Sequence, residues 1–124
     1  PEAWTVLWAG VATDEQAKHV VEKIMDTAHF NTYLPFPTVS ASNPSFDPEN
    51  GYWRGLVWID QAYFELSGMK KYGYKKQAQE MQEKLLKYSG SGTTKRKRSI
   101  CLVYRRDQMI LFYNRSKNIL RQLI

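Results

Sequence analysis

The sequence predicts a mainly helical fold, built as two successive pairs in which a buried inner helix is followed by an amphipathic outer one. Two segments, residues 3–11 and 53–71, are apolar on most faces, as an inner helix must be, and each is followed by a segment with a single apolar stripe. Helix punctuation stands between the members of each pair, with Thr13 to Gln16 in the first and Tyr72-Gly73-Tyr74 in the second. Inner and outer helix pairs are the repeating unit of a helical toroid, so a partial toroid of two pairs is expected, followed by a short α+β or irregular tail.

Each element has its own warrant. Ala3 to Val11 is nearly all apolar and sets Trp4 and Trp8 on one helical face, which reads as a short buried helix. Thr13-Asp14-Glu15-Gln16 is a capping box: the Thr13 hydroxyl accepts from the Gln16 amide, Gln16 reaches back, and the two acids sit where the helix dipole favours them. Ala17, Val20, Val21, Ile24 and Met25 then form one stripe. Trp53 to Lys71 reads as the second inner helix, interrupted by Asp60, Gln61 and Glu65, polar groups that need partners or a wet cavity. Gly73 supplies a left-handed cap, and Lys75 to Ser89 is the outer helix, with Ala78, Met81, Leu85 and Tyr88 as its stripe.

Between the pairs, residues 30–51 carry Pro35, Pro37, Pro44 and Pro48 and little periodicity. Loops longer than about 12 to 15 residues in compact domains are usually functional or disordered. Phe30, Tyr33, Leu34, Phe36, Val39 and Phe46 argue against disorder, because a disordered linker is poor in aromatics. The loop delivers Tyr52, Trp53, Arg54 and Trp58 after the turn signals Pro48 and Asn50-Gly51. Flat aromatic faces cover sugar C–H groups while a guanidinium fork donates to oxygens, so a polyhydroxylated or anionic ligand fits this block. Trp53 and Trp58 are equally compatible with plain core.

The 124 residues suffice for one domain, and the single cysteine, Cys101, permits no internal disulfide. No apolar run is long enough for a membrane span, and no signal peptide is evident. His19 and His29 lie far apart in the chain with no third ligand in view, so neither a metal nor a cofactor is expected. Charge is unevenly divided: residues 1–90 hold 9 Lys/Arg against 11 Asp/Glu, whereas residues 91–124 hold 9 against 1. The change falls at Ser89-Gly90-Ser91-Gly92-Thr93-Thr94, which marks a linker or boundary. In the tail, Ile100 to Tyr104 and Met109 to Tyr113 read as β-prone runs and Ser116 to Ile124 as a short helix.

An ordered series of blocks carries a resemblance over residues 1–90. Glu2-Ala3-Trp4-Thr5, Phe30-Asn31-Thr32-Tyr33-Leu34-Pro35-Phe36-Pro37-Thr38-Val39-Ser40, Tyr52-Trp53-Arg54-Gly55-Leu56-Val57-Trp58-Ile59-Asp60-Gln61, Gly68-Met69 and Tyr72-Gly73-Tyr74 together resemble glycoside hydrolase family 63. The likeness is greatest to its bacterial α-glucosidases, near the C-terminal end of their (α/α)6 barrel. It implies an inverting hydrolase acting on α-glucosidic bonds, in a bacterial periplasmic or secreted setting, with Phe36, Tyr52, Trp53, Arg54, Trp58 and Asp60 as substrate-binding residues. It also implies a general acid well upstream of Pro1 and a base in a Glu-Asn-Tyr block soon after Gly92, where this chain reads Thr94-Lys95-Arg96-Lys97-Arg98 instead. Residues 1–92 are therefore expected to be a barrel fragment and residues 93–124 a frameshifted or foreign basic tail. No catalytic residue can be assigned.

Asp60 and Glu65, five apart on one helix, stand about 140° from each other around its axis at about 3.6 residues per turn, so they cannot form a catalytic pair across a sugar. The chain alone is expected to be inactive and to bind α-linked glucosides at most. Two other readings compete. The run Lys95 to Arg98, with Tyr104, Phe112 and Tyr113, would suit a nucleic acid, although short basic runs are mostly solvated faces, and no nucleic acid or membrane partner is expected. A helical interaction domain without ligand is the third, and the open flank of an inner helix is expected to promote self-association.

Overall fold

The computed structural model describes residues 2–48 and 50–90. Among them are four helices: α1 (Glu2–Ala9), α2 (Asp14–Met25), α3 (Ile59–Lys71) and α4 (Lys75–Gly90). The described residues are thus mainly helical, with the four helices in the predicted order, but α1 is not the buried helix that its apolar composition predicts: Trp4 and Leu7 are buried while Ala3, Thr5, Val6, Trp8 and Ala9 are exposed, because α1 packs on one side only, chiefly against α3. The linker beyond Gly90, the β-prone runs, the short helix and the basic run of the tail lie outside the described residues, as does Glu49.

α1 and α3 cross at close range. A Cβ on Gly68 would stand 2.7 Å from Leu7 Cβ and 2.9 Å from the Trp8 backbone nitrogen, so only glycine lets the two backbones approach this far. The contact is extended at both ends, where Trp4 Nε1 donates to Gln61 Oε1 (3.3 Å) and the Tyr72 hydroxyl donates to the Ala12 carbonyl (2.8 Å). α1 is shorter than the apolar run predicts, ending at Ala9 rather than Val11. Gly10 takes φ 74° and folds its amide back on Val6 and Leu7, while Lys71 Nζ donates to the Trp8 carbonyl at 3.2 Å. Left-handed closure and an added cation stop the helix there.

α2 starts at the predicted capping box, with both reciprocal bonds present: Gln16 N to Thr13 Oγ1 (3.2 Å) and Thr13 N to Gln16 Oε1 (2.9 Å). Its stripe buries Ala17, Val21 and Ile24. On the outer side of α3, α4 buries Ala78, Met81 and Leu85, whereas the side chain of Tyr88 is outside the described residues. Phe36, Val57, Ala62, Leu66 and Met69 close the core between them.

α3 begins at Ile59 and not at Trp53, which corrects the sequence reading. Residues 53–55 belong to a turn in which the Arg54 amide donates to the Gly51 carbonyl (3.0 Å), and Gly55 then adopts φ 138°. The Leu56 carbonyl accepts from the Thr38 amide (3.1 Å), which ties this stretch to a distant segment, and Trp58 enters as an extended N-cap. At its other end α3 closes as predicted: Gly73 has φ 87°, its amide reaches the Lys70 carbonyl (3.1 Å) and the Tyr74 amide reaches that of Met69 (2.9 Å).

The long segment between α2 and α3 is anchored throughout. Lys84 Nζ on α4 donates to the Asn31 carbonyl (3.0 Å), and burial lowers the pKa of that ammonium. His29 sits between the Ser40 and Ser42 hydroxyls (2.8 and 3.0 Å), and its carbonyl accepts from the Ala41 amide (2.8 Å). These contacts give both the histidine and the loop a structural occupation. No group of three or more His, Cys, Asp or Glu side chains suited to a metal occurs among the described residues.

Candidate functional site

The segment from Asp47 to Trp58 builds the site from its backbone outward. The Asp47 amide donates to the Arg54 carbonyl (2.6 Å), its own carbonyl accepts from the Gly51 amide (2.9 Å), and its Oδ1 accepts from the Asn50 amide (3.0 Å). A short polar side chain that bonds its own backbone a few residues on is a standard way of closing such a turn. Gly51 is required at the crossing, since a Cβ there would lie 2.6 Å from Arg54 Cβ and 2.7 Å from the Asp47 carbonyl oxygen.

The turn brings three predicted aromatic residues together. Trp53 stacks on Trp58 with centroids 4.6 Å apart and planes 13° from parallel, and Tyr52 meets Trp58 edge-on at 4.9 Å and Trp53 edge-on at 6.0 Å. Trp58 is 4% exposed, whereas Tyr52 and Trp53 are 54% and 50% exposed. The cluster is therefore both core and surface: Trp58 forms the floor, and two half-open rings stand on it. The buried Trp58 Nε1 has no acceptor among the described residues.

Arg54 is exposed beside this surface and pairs with Asp47, its Nη2 lying 3.5 Å from Oδ2. Such an exposed pair is weak, so the guanidinium keeps most of its capacity to donate elsewhere. The other two predicted residues lie apart from the aromatic cluster. Phe36 is wholly buried in the core, where it shapes the ground beneath the loop without a surface to offer. Asp60 is exposed on the first turn of α3, with Oδ1 accepting from the Gln61 amide (2.9 Å).

Of the polar groups on α3, Gln61 pairs with Trp4, but neither side-chain oxygen of Glu65 has a hydrogen-bond partner among the described residues. Its side chain is completely buried, and desolvation raises its pKa well above the ordinary value, outweighing the attraction of the N-terminal ammonium. The requirement for a partner or a wet cavity, drawn from the sequence, is thus not met among the described residues. One residue that sequence reasoning overlooked is Thr38. It is buried, and its Oγ1 accepts from the Gly55 amide (3.1 Å) within the aromatic loop. Nothing in local composition marks a threonine as the acceptor for an amide 17 positions away.

Helices and an aromatic loop do not by themselves define an activity; comparison with known proteins supplies the class, a glycoside hydrolase domain. It belongs to the mannosylglycerate hydrolase MGH1-like glycoside hydrolase domain family, whose profile matches residues 2–96. Mannosylglycerate hydrolase MGH1 of Selaginella moellendorffii is 32% identical over 79 residues, covering 61% of this chain and 15% of that protein. An uncharacterized protein of Borreliella burgdorferi is 31% identical over 64 residues, covering 51% of this chain and 13% of that protein. The chain thus spans about a seventh of the length of these relatives. The glycoside hydrolase likeness read from the sequence holds at the level of the family, while the narrower likeness to bacterial α-glucosidases is not what the match specifies.

Proposed function

We propose that Tyr52, Trp53, Trp58 and Arg54 form part of the sugar-binding surface of a glycoside hydrolase domain acting on α-linked hexosides, α-glucosides or mannosylglycerate among them. The stack of half-exposed Trp53 on buried Trp58 carries this reading. An indole whose inner face is already held by another ring offers its free face to pyranose C–H groups with little further loss of freedom. Arg54, next in the chain, is a fork for hydroxyl or carboxylate oxygens, and Trp58 Nε1 is a buried donor with no acceptor among the described residues.

Catalysis is a different matter. An inverting glycosidase needs two carboxyl groups roughly 6.5 to 9.5 Å apart on opposite sides of the bond. Asp60 is exposed and Glu65 is sealed in the core, as the 140° separation anticipates, and Asp47 is engaged in the turn. The described residues therefore supply binding without an acid and base pair, and this chain by itself is expected to release no hexose.

The test is a tryptophan fluorescence titration with mannosylglycerate and, separately, an α-linked glucobiose. Binding of either should quench or shift the emission and should be lost in Trp53→Ala, whose half-exposed ring contributes little to the fold. Absence of any response from both sugars overturns the binding assignment. Hexose release that is abolished by Asp60→Asn or Glu65→Gln overturns the statement on catalysis.

A further inference from the structure

The residues between Trp53 and Trp58 are held from beneath by one buried side chain. Thr38 grips the connection twice: its Oγ1 accepts from the Gly55 amide at 3.1 Å, and its own amide donates to the Leu56 carbonyl at 3.1 Å. Thr38 is 1% exposed, so both bonds form away from competing water. The two gripped residues lie midway between the stacked indoles, and their geometry leaves few alternatives. Gly55 sits at φ 138°, and a Cβ there would come within 2.9 Å of the Phe46 ring and 3.1 Å of the Pro48 nitrogen.

The segment that carries Thr38 is itself held in an uncommon conformation. Phe36, two residues earlier, has φ 68°, which a bulky residue adopts only when its surroundings over-determine it, and its ring is fully buried. Its amide donates to the Phe30 carbonyl at 3.0 Å. A buried ring, a left-handed backbone and a short hydroxyl thus act in sequence on one point of the neighbouring loop.

We propose that Thr38 is a positioning residue for the aromatic surface, its hydroxyl fixing Gly55 so that Trp53 is laid on Trp58 before any ligand arrives. This rests on the assignment of that surface to sugar binding, and it adds that the surface is pre-organised from a residue no sugar touches. Pre-organisation of this kind lowers the cost of binding by fixing rotamers in advance. Valine in place of Thr38 keeps the branched shape and deletes the acceptor, while serine keeps the acceptor and loses one methyl group.

The indole ring protons of Trp53 and Trp58 report the stack directly, because each ring shifts the other's signals upfield in a proton NMR spectrum. Thr38→Val is expected to erase these shifts and to speed exchange of the Gly55 amide by about five- to tenfold, the effect of one lost hydrogen bond. Signals of Trp4, which packs edge-on to Phe30 at 5.4 Å, should stay in place, and Thr38→Ser should restore both readouts. Unchanged indole shifts in Thr38→Val overturn the proposal.

If Thr38→Val does not fold, the parent chain and Thr38→Ser decide it. Slow Gly55 exchange in both with intact indole shifts upholds the role, and fast exchange in the parent chain removes it. None of these measurements needs a ligand. Failure of the sugar titration with a positive result here would cancel the binding assignment and leave Thr38 as the residue that sets the stack.

Discussion

Glu65 is the residue whose chemistry is least at ease in the fold. A carboxyl buried without a partner is disfavoured when charged, which is why its pKa is raised. The fold therefore holds the proton more tightly than the unfolded chain does, and linkage gives the sign: the protonated group leaves stability intact below the ordinary value of 4.5, and stability is lost as pH rises from there through the raised value. Over that interval the slope for one proton is about 1.4 kcal/mol per pH unit. Chemical denaturation at a series of pH values should show this decline, and Glu65→Met, which fills a similar volume without a charge, should flatten it and be the more stable protein at neutral pH. A parent chain whose stability rises with pH above 4.5 would contradict the reading.

Among the elements, the contact between α1 and α3 depends on a single missing side chain. Replacing Gly68 by alanine improves helix propensity by about 1 kcal/mol. It also places a methyl group 2.9 Å from the Trp8 backbone nitrogen, which cannot rotate away, and 2.7 Å from Leu7 Cβ. Overpacking of this sort costs about 1 to 3 kcal/mol, and with a backbone atom as the obstacle the upper part of that range applies. Gly68→Ala is therefore expected to lower stability by about 1 to 2 kcal/mol in urea unfolding, and a gain would show that α1 can move aside freely. The same crossing explains the placement of Trp8, which leans on Phe64 of α3 at 4.8 Å with much of its ring in solvent.

Across the folded unit, several large apolar side chains among the described residues are exposed. Val6, Trp8 and Val11 along and after α1 are 41%, 44% and 73% exposed, and a largely apolar cleft of about 300 Å³, lined by Trp4, Val20, Ile24 and Phe30 with His19 and Lys23 also on its wall, lies between α1 and α2. Proteins that stay monomeric rarely leave contiguous apolar patches larger than a few hundred Å² uncovered. Self-association of this chain through the outer side of α1 is the expected outcome. Sedimentation velocity across the micromolar range should show concentration-dependent dimers or larger species, reduced by Trp8→Glu. A compact monomer at every concentration would mean that these side chains are covered within the molecule.

What the sequence determined by itself is what short-range physics determines. The capping box at Thr13, the stripes Ala17–Val21–Ile24 and Ala78–Met81–Leu85, and the left-handed stop at Gly73 all rest on spacings of a few residues, and all stand where the spacing puts them. The presence of an aromatic loop before the second inner helix was legible for the same reason. The start of α3 was not, because apolar residues continue from Leu56 into the helix without a break and the Leu56 carbonyl is tied to the Thr38 amide in a distant part of the chain. Nor could the sequence divide the candidate residues, with Tyr52 and Trp53 half open, Trp58 beneath them and Phe36 in the core. Residue type is a local property, whereas which rings meet, which carboxyl is sealed and which threonine reaches a glycine amide are decided only when segments far apart in the chain compete for the same space.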